Sequence, residues 1–132
     1  KNYVMHNKGS IEVYGQQSKI FWGNIAIRPD IVIKKEGQIY IIDTKWKHIN
    51  GHKPSTNDLR QMYVYNEFWE CEKSLLLYPS DKTISPNFIS FQNNKHKCAL
   101  GQLNIIKNTK LNTEVGEEIL GWFDKADLIE FK

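Results

Sequence analysis

Two apolar runs joined by a Glu-Gly pair constrain the fold of this chain more than any other feature. The runs cover residues 25–35 and 38–46, and both are rich in Ile, Val and Tyr. A short Gly-containing break between two such runs predicts a β-hairpin, here with Glu36-Gly37 as its turn. Because the apolar residues are nearly continuous rather than alternating, we expect both faces of these strands to be covered. The hairpin is therefore predicted to lie in the middle of a sheet.

The rest of the chain alternates strand and helix patterns. Residues 1–24 place three glycines around short apolar patches, which predicts one or two short strands. Residues 55–71 contain neither Gly nor Pro and open with Ser55 three residues before Asp58, which predicts a capped helix. The apolar run 74–78 predicts a strand reached through a right-handed helical crossover. The remaining patterns predict strands at 88–92 and 102–106, a helix around 117–125 and a closing apolar run at 128–131.

These elements predict an α/β fold in which helices flank a mixed central sheet. A length of 132 residues corresponds to about one domain, so we expect residues 1–132 to form a single domain. The chain starts with Lys1 rather than Met. We therefore expect it to be part of a longer chain.

Composition excludes several classes of protein. There is no apolar stretch long enough to span a bilayer and no signal-peptide pattern, so we expect a soluble protein. The two cysteines, Cys71 and Cys98, are widely separated, which favours reduced thiols and a cytoplasmic location, with one disulfide as the alternative. The net charge of +3 is too small to indicate nucleic-acid binding from bulk electrostatics.

The hairpin register brings two acids together. If Glu36 and Gly37 form a two-residue turn, Asp30 faces Asp43 across the strands. Like charges at such positions are destabilising, and a divalent cation held by carboxylate oxygens would compensate them. The alternative is a pair of loop-facing acids in an altered register, because a three-residue loop would move the two carboxylates to opposite faces.

Strand alternation adds an amine to this pair. Lys45 lies two positions beyond Asp43 and shares its face, while Thr44 points away but offers its backbone carbonyl. Carboxylates that hold Mg²⁺, together with an ammonium that positions water or stabilises negative charge, suit phosphodiester hydrolysis. The set therefore predicts a hydrolytic metal site, although an ordinary surface lysine remains the alternative for Lys45.

The same residues carry a family resemblance. Pro29-Asp30 followed by Asp43-Thr44-Lys45 resembles the motif of the PD-(D/E)XK nuclease superfamily. Over residues 28–79 the chain is more narrowly similar to the nuclease domain of the McrC family, from modification-dependent restriction systems of the McrBC type. The blocks that carry this similarity are Arg28-Pro29-Asp30, Asp43 to Lys47, the helix positions Asp58, Gln61 and Tyr65, and Leu76 to Pro79.

The resemblance implies a restriction-endonuclease-like core that cleaves double-stranded DNA. Asp30 and Asp43 would bind Mg²⁺, with Mn²⁺ as a substitute, and Lys45 would be the third motif residue. Gln61 and Tyr65 would lie beside the active site, although residues at a polar helix boundary are the alternative. An AAA+ GTPase subunit of the McrB type would be the partner. The glycine-interrupted start does not match the helix that usually opens this core, so we expect that first helix to be lacking.

A locally positive segment lies next to the predicted site. Lys47, His48 and Lys53 are expected to contact phosphate, with a solvated loop as the alternative. Arg28 falls opposite Lys45 in the predicted register, which phosphate between the two cations would explain. Asp58, on the helix face of Gln61, is assigned to the same nucleic-acid interface.

Two further functional hypotheses remain open at the level of sequence. One is a non-catalytic DNA-binding or assembly module that keeps the nuclease fold and needs no metal. The other is a nuclease that acts on RNA or repair intermediates, because a fold does not fix a function. No P-loop motif occurs in the chain, so GTP hydrolysis would belong to a separate subunit.

Overall fold

The computed structural model describes residues 2–5, 11–47, 53–93, 95–104 and 118–123. The described part of the chain contains one long helix and nine strands. In chain order these are β1 (Asn2–Met5), β2 (Ile11–Gly15), β3 (Lys19–Trp22), β4 (Ile25–Ile27), β5 (Ile31–Lys35), β6 (Gln38–Thr44), α1 (Thr56–Trp69), β7 (Lys73–Ser80), β8 (Ile89–Ser90) and β9 (Lys97–Asn104). Residues 118–123 are also helical.

The central sheet is mixed, as the sequence predicts. Its seven strands follow the order β1-β2-β5-β6-β7-β9-β8, which places the β5–β6 hairpin in the interior of the sheet. The hairpin strands are antiparallel, whereas β6 and β7 are parallel and are joined by α1. A helical crossover between parallel strands is the connection that this geometry requires. β3 and β4 form a separate two-stranded sheet.

Both faces of the central hairpin are buried. One face packs against α1, and the other packs against the helical residues 118–123, where the Phe123 ring stacks on Tyr40 with centroids 4.4 Å apart. The predicted coverage of both faces is therefore confirmed. The α1 side of the sheet includes Val32, Ile41, Leu76 and Tyr78, and the opposite side includes Ile33, Tyr40, Ile42, Leu75 and Leu77.

The hairpin turn has the predicted two residues. Lys35 pairs with Gln38 and Ile31 pairs with Ile42. Glu36 and Gly37 both have positive φ, at 52° and 79°, which is the backbone of a type I′ turn and matches the twist of the strands. The register that brings Asp30 opposite Asp43 is therefore confirmed.

Glu36→Asn is expected to stabilise the protein by about 0.5 to 1 kcal/mol, because asparagine tolerates a left-handed backbone better than glutamate and Asn-Gly favours a type I′ turn. Urea unfolding measures the change. Gly37→Ala is the matched control and should destabilise through its positive φ alone, since an added Cβ would meet nothing within 4 Å. Equal stability of Glu36→Asn and the parent chain would contradict the assigned turn.

Several predicted strand boundaries differ from the observed ones. The run 25–35 is divided into β4 and β5, because Pro29 has no N–H to donate to a ladder. β9 starts at Lys97, five residues before the predicted start at 102, and β8 is shorter than 88–92. The residues before β5 form more strands than predicted, and the described ones include no helix. Residues 105, 106, 117, 124 and 125 and the closing run 128–131 lie outside the described residues.

Gly101 lies inside β9, directly before the predicted start of this strand at 102. Glycine weakens a strand pattern in a sequence, but a Cβ at this position would lie 3.1 Å from the Trp122 ring and 3.2 Å from Leu75. The glycine therefore lets the helical residues 118–123 approach the sheet closely.

Both observed ends of helix α1 lie within two residues of the predicted bounds, 55–71. Ser55 caps the helix by accepting the Asp58 amide at 3.0 Å, and Glu70 ends it with a left-handed backbone.

Cys71 and Cys98 are both buried and free, as predicted, so the alternative of a disulfide is wrong. Among the described residues, no helix is long and apolar enough to cross a bilayer.

Burial of these thiols predicts a loss of stability at alkaline pH. It raises the pKa of Cys98 to about 11 and that of Cys71 as well, whereas an unfolded thiol ionises near pH 8.5 to 9. Because the unfolded state loses its protons first, the free energy of unfolding should fall by ~1.4 kcal/mol per pH unit per thiol between about pH 9 and 11. Urea unfolding under reducing conditions measures this slope. Cys98→Ala should reduce the slope of the free energy of unfolding against pH by the contribution of one thiol. An unchanged slope in that variant would show that Cys98 is not one of the groups that cause the loss of stability.

Candidate active site

Asp30 and Asp43 meet at the end of the central hairpin. Asp30 precedes β5, and Asp43 lies at the second-last position of β6. The Asp30 amide donates to Asp43 Oδ1 at 3.3 Å, and the Thr44 amide donates to Asp30 Oδ2 at 2.8 Å. Each acid is thus held by a main-chain bond from the opposite strand end. The two carboxylates face one another as the register predicts.

Asp43 lies in surroundings that disfavour its negative charge. Asp43 is only 5% exposed. Burial raises its pKa, the charge of Asp30 raises it further, and the hydrogen bond from Lys45 lowers it without cancelling the rise. A buried carboxylate beside a second carboxylate is therefore only partly compensated by the residues around it. A cation at this position would complete the compensation.

Lys45 lies on the same face as Asp43 and supplies the nearest positive charge. Its Nζ is 2.8 Å from Asp43 Oδ2 and donates to Gln61 Oε1 at 2.6 Å. Burial by itself lowers the pKa of Lys45, but the hydrogen bond to Asp43 and the charges of Asp43 and Asp58 outweigh it, so the pKa is raised. Lys45 is therefore a cation at neutral pH. The predicted set of two acids and one amine on one face comes together in the structure.

Gln61 and Tyr65 link the lysine to the segment that carries Asp30. They lie one turn apart on α1, and Gln61 Nε2 donates to Tyr65 Oη at 3.1 Å. Tyr65 in turn donates to the carbonyl of Arg28 at 3.1 Å. Burial, followed by the charges of Asp43 and Asp30, raises the pKa of Tyr65 to about 12, so its hydroxyl keeps its proton. These contacts orient the Gln61 amide and hold the chain just before Asp30.

The donor set fits a hard divalent cation such as Mg²⁺. The described residues contain no cluster of three or more His, Cys, Asp or Glu side chains arranged to hold a metal. The pair Asp30 and Asp43, with the Thr44 carbonyl, offers oxygen ligands only. Mg²⁺ usually keeps several waters and takes one or two carboxylates plus substrate phosphate, so two acids are sufficient for it.

Asp58 points toward cations rather than toward solvent. Its Oδ1 is 3.6 Å from Lys45 Nζ, and its Oδ2 is 2.9 Å from Lys47 Nζ. Tyr78 donates to the same Oδ2 at 3.2 Å. Burial tends to raise the pKa of Asp58, but the hydrogen bond from Lys47 and the charge of Lys45 lower it below its usual value. This acid is a counter-ion to the two lysines, a different placement from the predicted contact with nucleic acid.

The structure describes three of the four other residues that are predicted to contact phosphate. Lys47 and Lys53 are exposed, as is the side chain of Arg28. The β5–β6 ladder ends at Ile31 and Ile42, and the Lys45 amide pairs instead with the Leu77 carbonyl of β7 at 2.9 Å. The predicted pairing of Arg28 with Lys45 is therefore not part of the strand ladder. His48 lies outside the described residues.

Tyr78 is a residue of this site that the sequence did not reveal. It is the last residue of the predicted strand 74–78, yet it is 1% exposed and its hydroxyl donates to Asp58 Oδ2. Burial and then the charge of Asp58 raise its pKa, so it remains a donor. The Tyr78-Pro79 pair carries no pattern that distinguishes such a role from packing.

The fold and the site together define an α/β protein with a carboxylate pair and a lysine at the end of a central hairpin. A sequence model described as "McrBC 5-methylcytosine restriction system component" matches residues 2–79. Because this match covers more than half of the chain, the chain belongs to that family. No curated protein matches the chain.

A solved structure supports the fold assignment. The chain is similar, with a TM-score of 0.64 and 18% identity, to a chain of the refined half-complex from a tetradecameric assembly of Thermococcus gammatolerans McrB AAA+ hexamers with bound McrC. The match covers 86% of this chain and 28% of that chain. The present chain therefore spans less than a third of the length of this relative.

Proposed function

We propose that this chain is the Mg²⁺-dependent endonuclease domain of a McrBC-type restriction system and hydrolyses phosphodiester bonds of double-stranded DNA on a PD-(D/E)XK core. The observation that carries the proposal is the meeting of Asp30, Asp43 and Lys45 on one face of the central hairpin. Lys45 follows Asp43 by two positions, as in the motif, and its Nζ lies 2.8 Å from Asp43 Oδ2. Membership of the McrBC family supports the same conclusion.

The side chains have distinct roles in this mechanism. Asp30, Asp43 and the Thr44 carbonyl would hold Mg²⁺, or Mn²⁺ as a substitute. The ion would supply Lewis-acid polarisation of the phosphate and activation of a water molecule. Lys45 directs its ammonium at the negative charge that develops during in-line attack.

Gln61 and Tyr65 act by fixing the geometry of the acids and the lysine. Gln61 holds Lys45 by a 2.6 Å bond, and Tyr65 holds the carbonyl of Arg28 next to Asp30. Positioning of this kind contributes strongly to rate, because displacement by about 1 Å can cost about 10²-fold. These two residues therefore support the reacting groups from the α1 side.

The substrate and the partner follow from the same proposal. The exposed side chains of Arg28, Lys47 and Lys53, together with His48, would contact the phosphates of the duplex without reading its sequence. Residues 1–132 would form one cytoplasmic domain of a longer protein. An AAA+ GTPase subunit of the McrB type would supply recognition and translocation.

Cleavage of plasmid DNA tests this function. We expect cleavage of 5-methylcytosine-containing plasmid with Mg²⁺ when a McrB-type subunit and GTP are added, and none in EDTA. Calorimetry should detect Mn²⁺ binding to the isolated chain. Cleavage that persists in EDTA would contradict the metal site, whereas DNA binding without cleavage or metal binding would favour a non-catalytic module. Preferential cleavage of RNA would favour the alternative substrate.

A further inference from the structure

Asp58 divides its carboxylate between two lysines of the site. Oδ2 is occupied by Lys47 at 2.9 Å and by the Tyr78 hydroxyl at 3.2 Å. Oδ1 faces Lys45 at 3.6 Å, which is within ion-pair distance but longer than a hydrogen bond. The Asp58 residue is only 8% exposed, so solvent screens these interactions weakly.

A bound cation would weaken the contact of Lys45 with Asp43 but not its hydrogen bond to Gln61. An ammonium has three donors, and among the described residues two of them are used at short distance, by Asp43 Oδ2 and Gln61 Oε1. A divalent ion on Asp43 would compete for that carboxylate and repel the ammonium. Gln61 is neutral and cannot offset this repulsion. Retention of Lys45 beside an occupied metal site therefore requires a second negative charge.

We propose that Asp58 is a positioning residue, the second counter-ion that retains the Lys45 ammonium at the site when a divalent cation takes up Asp43. This inference rests on the proposed function. Asp58 suits the task because two contacts fix its position: the Ser55 cap holds its backbone amide at 3.0 Å, and Tyr78 holds its Oδ2. It also lies in the first turn of α1, where the helix N-terminus favours negative charge.

Asp58 could instead have one of two simpler roles, which the experiment below distinguishes from the proposed one. In the first, it only anchors Lys47, whose side chain is 52% exposed; exposed ion pairs contribute little. In the second, its negative charge attracts the metal directly, without Lys45. The proposed role differs from both because its effect disappears when Lys45 is removed.

The experiment is a double-mutant cycle read out as Mn²⁺ affinity by calorimetry on the full chain. We expect Asp58→Asn to weaken Mn²⁺ binding about 10-fold in the parent chain, because the ion could then take up Asp43 only by leaving the Lys45 ammonium without a carboxylate partner. In the Lys45→Met background the same change should alter affinity by no more than about 2-fold, whereas in the Lys47→Met background the loss should remain. Glu67→Gln, an acid-to-amide change near the other end of α1, is the matched control and should leave affinity unchanged.

A second readout separates positioning from folding. With DNA and the McrB-type subunit, Asp58→Asn should lower kcat about 10²-fold with little change in KM, and Asp58→Glu should restore most of the rate because it keeps the charge. If Asp58→Asn does not fold, Tyr78→Phe removes only the hydroxyl that holds Oδ2. It should weaken Mn²⁺ affinity about 3-fold in the parent chain and not in the Lys45→Met background.

The outcomes identify which proposal fails. A parent chain that binds no Mn²⁺ would overturn the proposed function and this inference with it. If the parent chain binds Mn²⁺ but Asp58→Asn weakens binding equally with and without Lys45, only the positioning role is wrong. Loss of the effect in the Lys47→Met background would assign Asp58 to Lys47 and would also overturn the role.

Discussion

Asp43→Asn is expected to abolish Mn²⁺ binding and to lower DNA cleavage by at least about 10³-fold. Asp43 is more buried than Asp30, and it is the acid that Lys45 contacts at 2.8 Å. Asparagine keeps the shape of the side chain, including one oxygen that can accept the Asp30 amide, but it removes the negative charge. Calorimetry and plasmid cleavage measure the two effects.

The control for Asp43→Asn is the same change at an acid away from the site. Asp81 is exposed and lies just after β7, where its only described side-chain contact is with Ser80. Asp81→Asn should leave Mn²⁺ affinity and cleavage unchanged. Wild-type Mn²⁺ affinity in a correctly folded Asp43→Asn chain would show that the cation site lies elsewhere.

Lys45→Met is expected to separate metal binding from cleavage. Cleavage should fall by about 10²- to 10³-fold because the ammonium no longer meets developing negative charge. Mn²⁺ affinity should rise, because the lysine competes with the ion for Asp43 and repels it. The metal-free protein should lose stability, since the buried acids Asp43 and Asp58 would both lose a cationic partner.

Unfolding with and without Mn²⁺ measures the last two effects of Lys45→Met. The variant should gain more stability from Mn²⁺ than the parent chain does, because only the native state binds the ion. Lys82→Met is a suitable control, since this exposed lysine lies just after β7 and belongs to neither the candidate site nor the proposed phosphate contacts. A Lys45→Met chain that cleaves DNA at the parent rate would remove Lys45 from the mechanism.

The sequence predicts the hairpin and its register because both depend on local chemistry. A two-residue turn at Glu36-Gly37 determines which residues face each other, so the positions of Asp30 and Asp43 follow from it. Helix α1 could be predicted for the same reason, since Ser55 and the absence of Gly and Pro are local signals. Parallel pairing of β6 and β7 then follows from the crossover.

Features that depend on contacts distant in sequence could not be predicted. Gly101 reads as a strand breaker, yet it lies in β9 because Trp122 packs above it. Asp58 could be placed on the helix face of Gln61, but helical spacing does not determine which partners a side chain selects. The pairing of Asp58 with Lys45, Lys47 and Tyr78 joins three separate segments, and no single segment encodes it.

Arg28, whose carbonyl Tyr65 holds, connects the small β3–β4 sheet to Asp30. This sheet leads directly into Arg28 and is fastened to the last turn of α1, where Lys19 donates to the Phe68 carbonyl at 2.9 Å and Phe21 lies 5.4 Å from the Phe68 ring. The outer side of the sheet exposes large apolar residues, including Trp22 at 72%. A shift of this sheet against α1 would therefore be passed along the chain through Arg28 to Asp30, two residues further on.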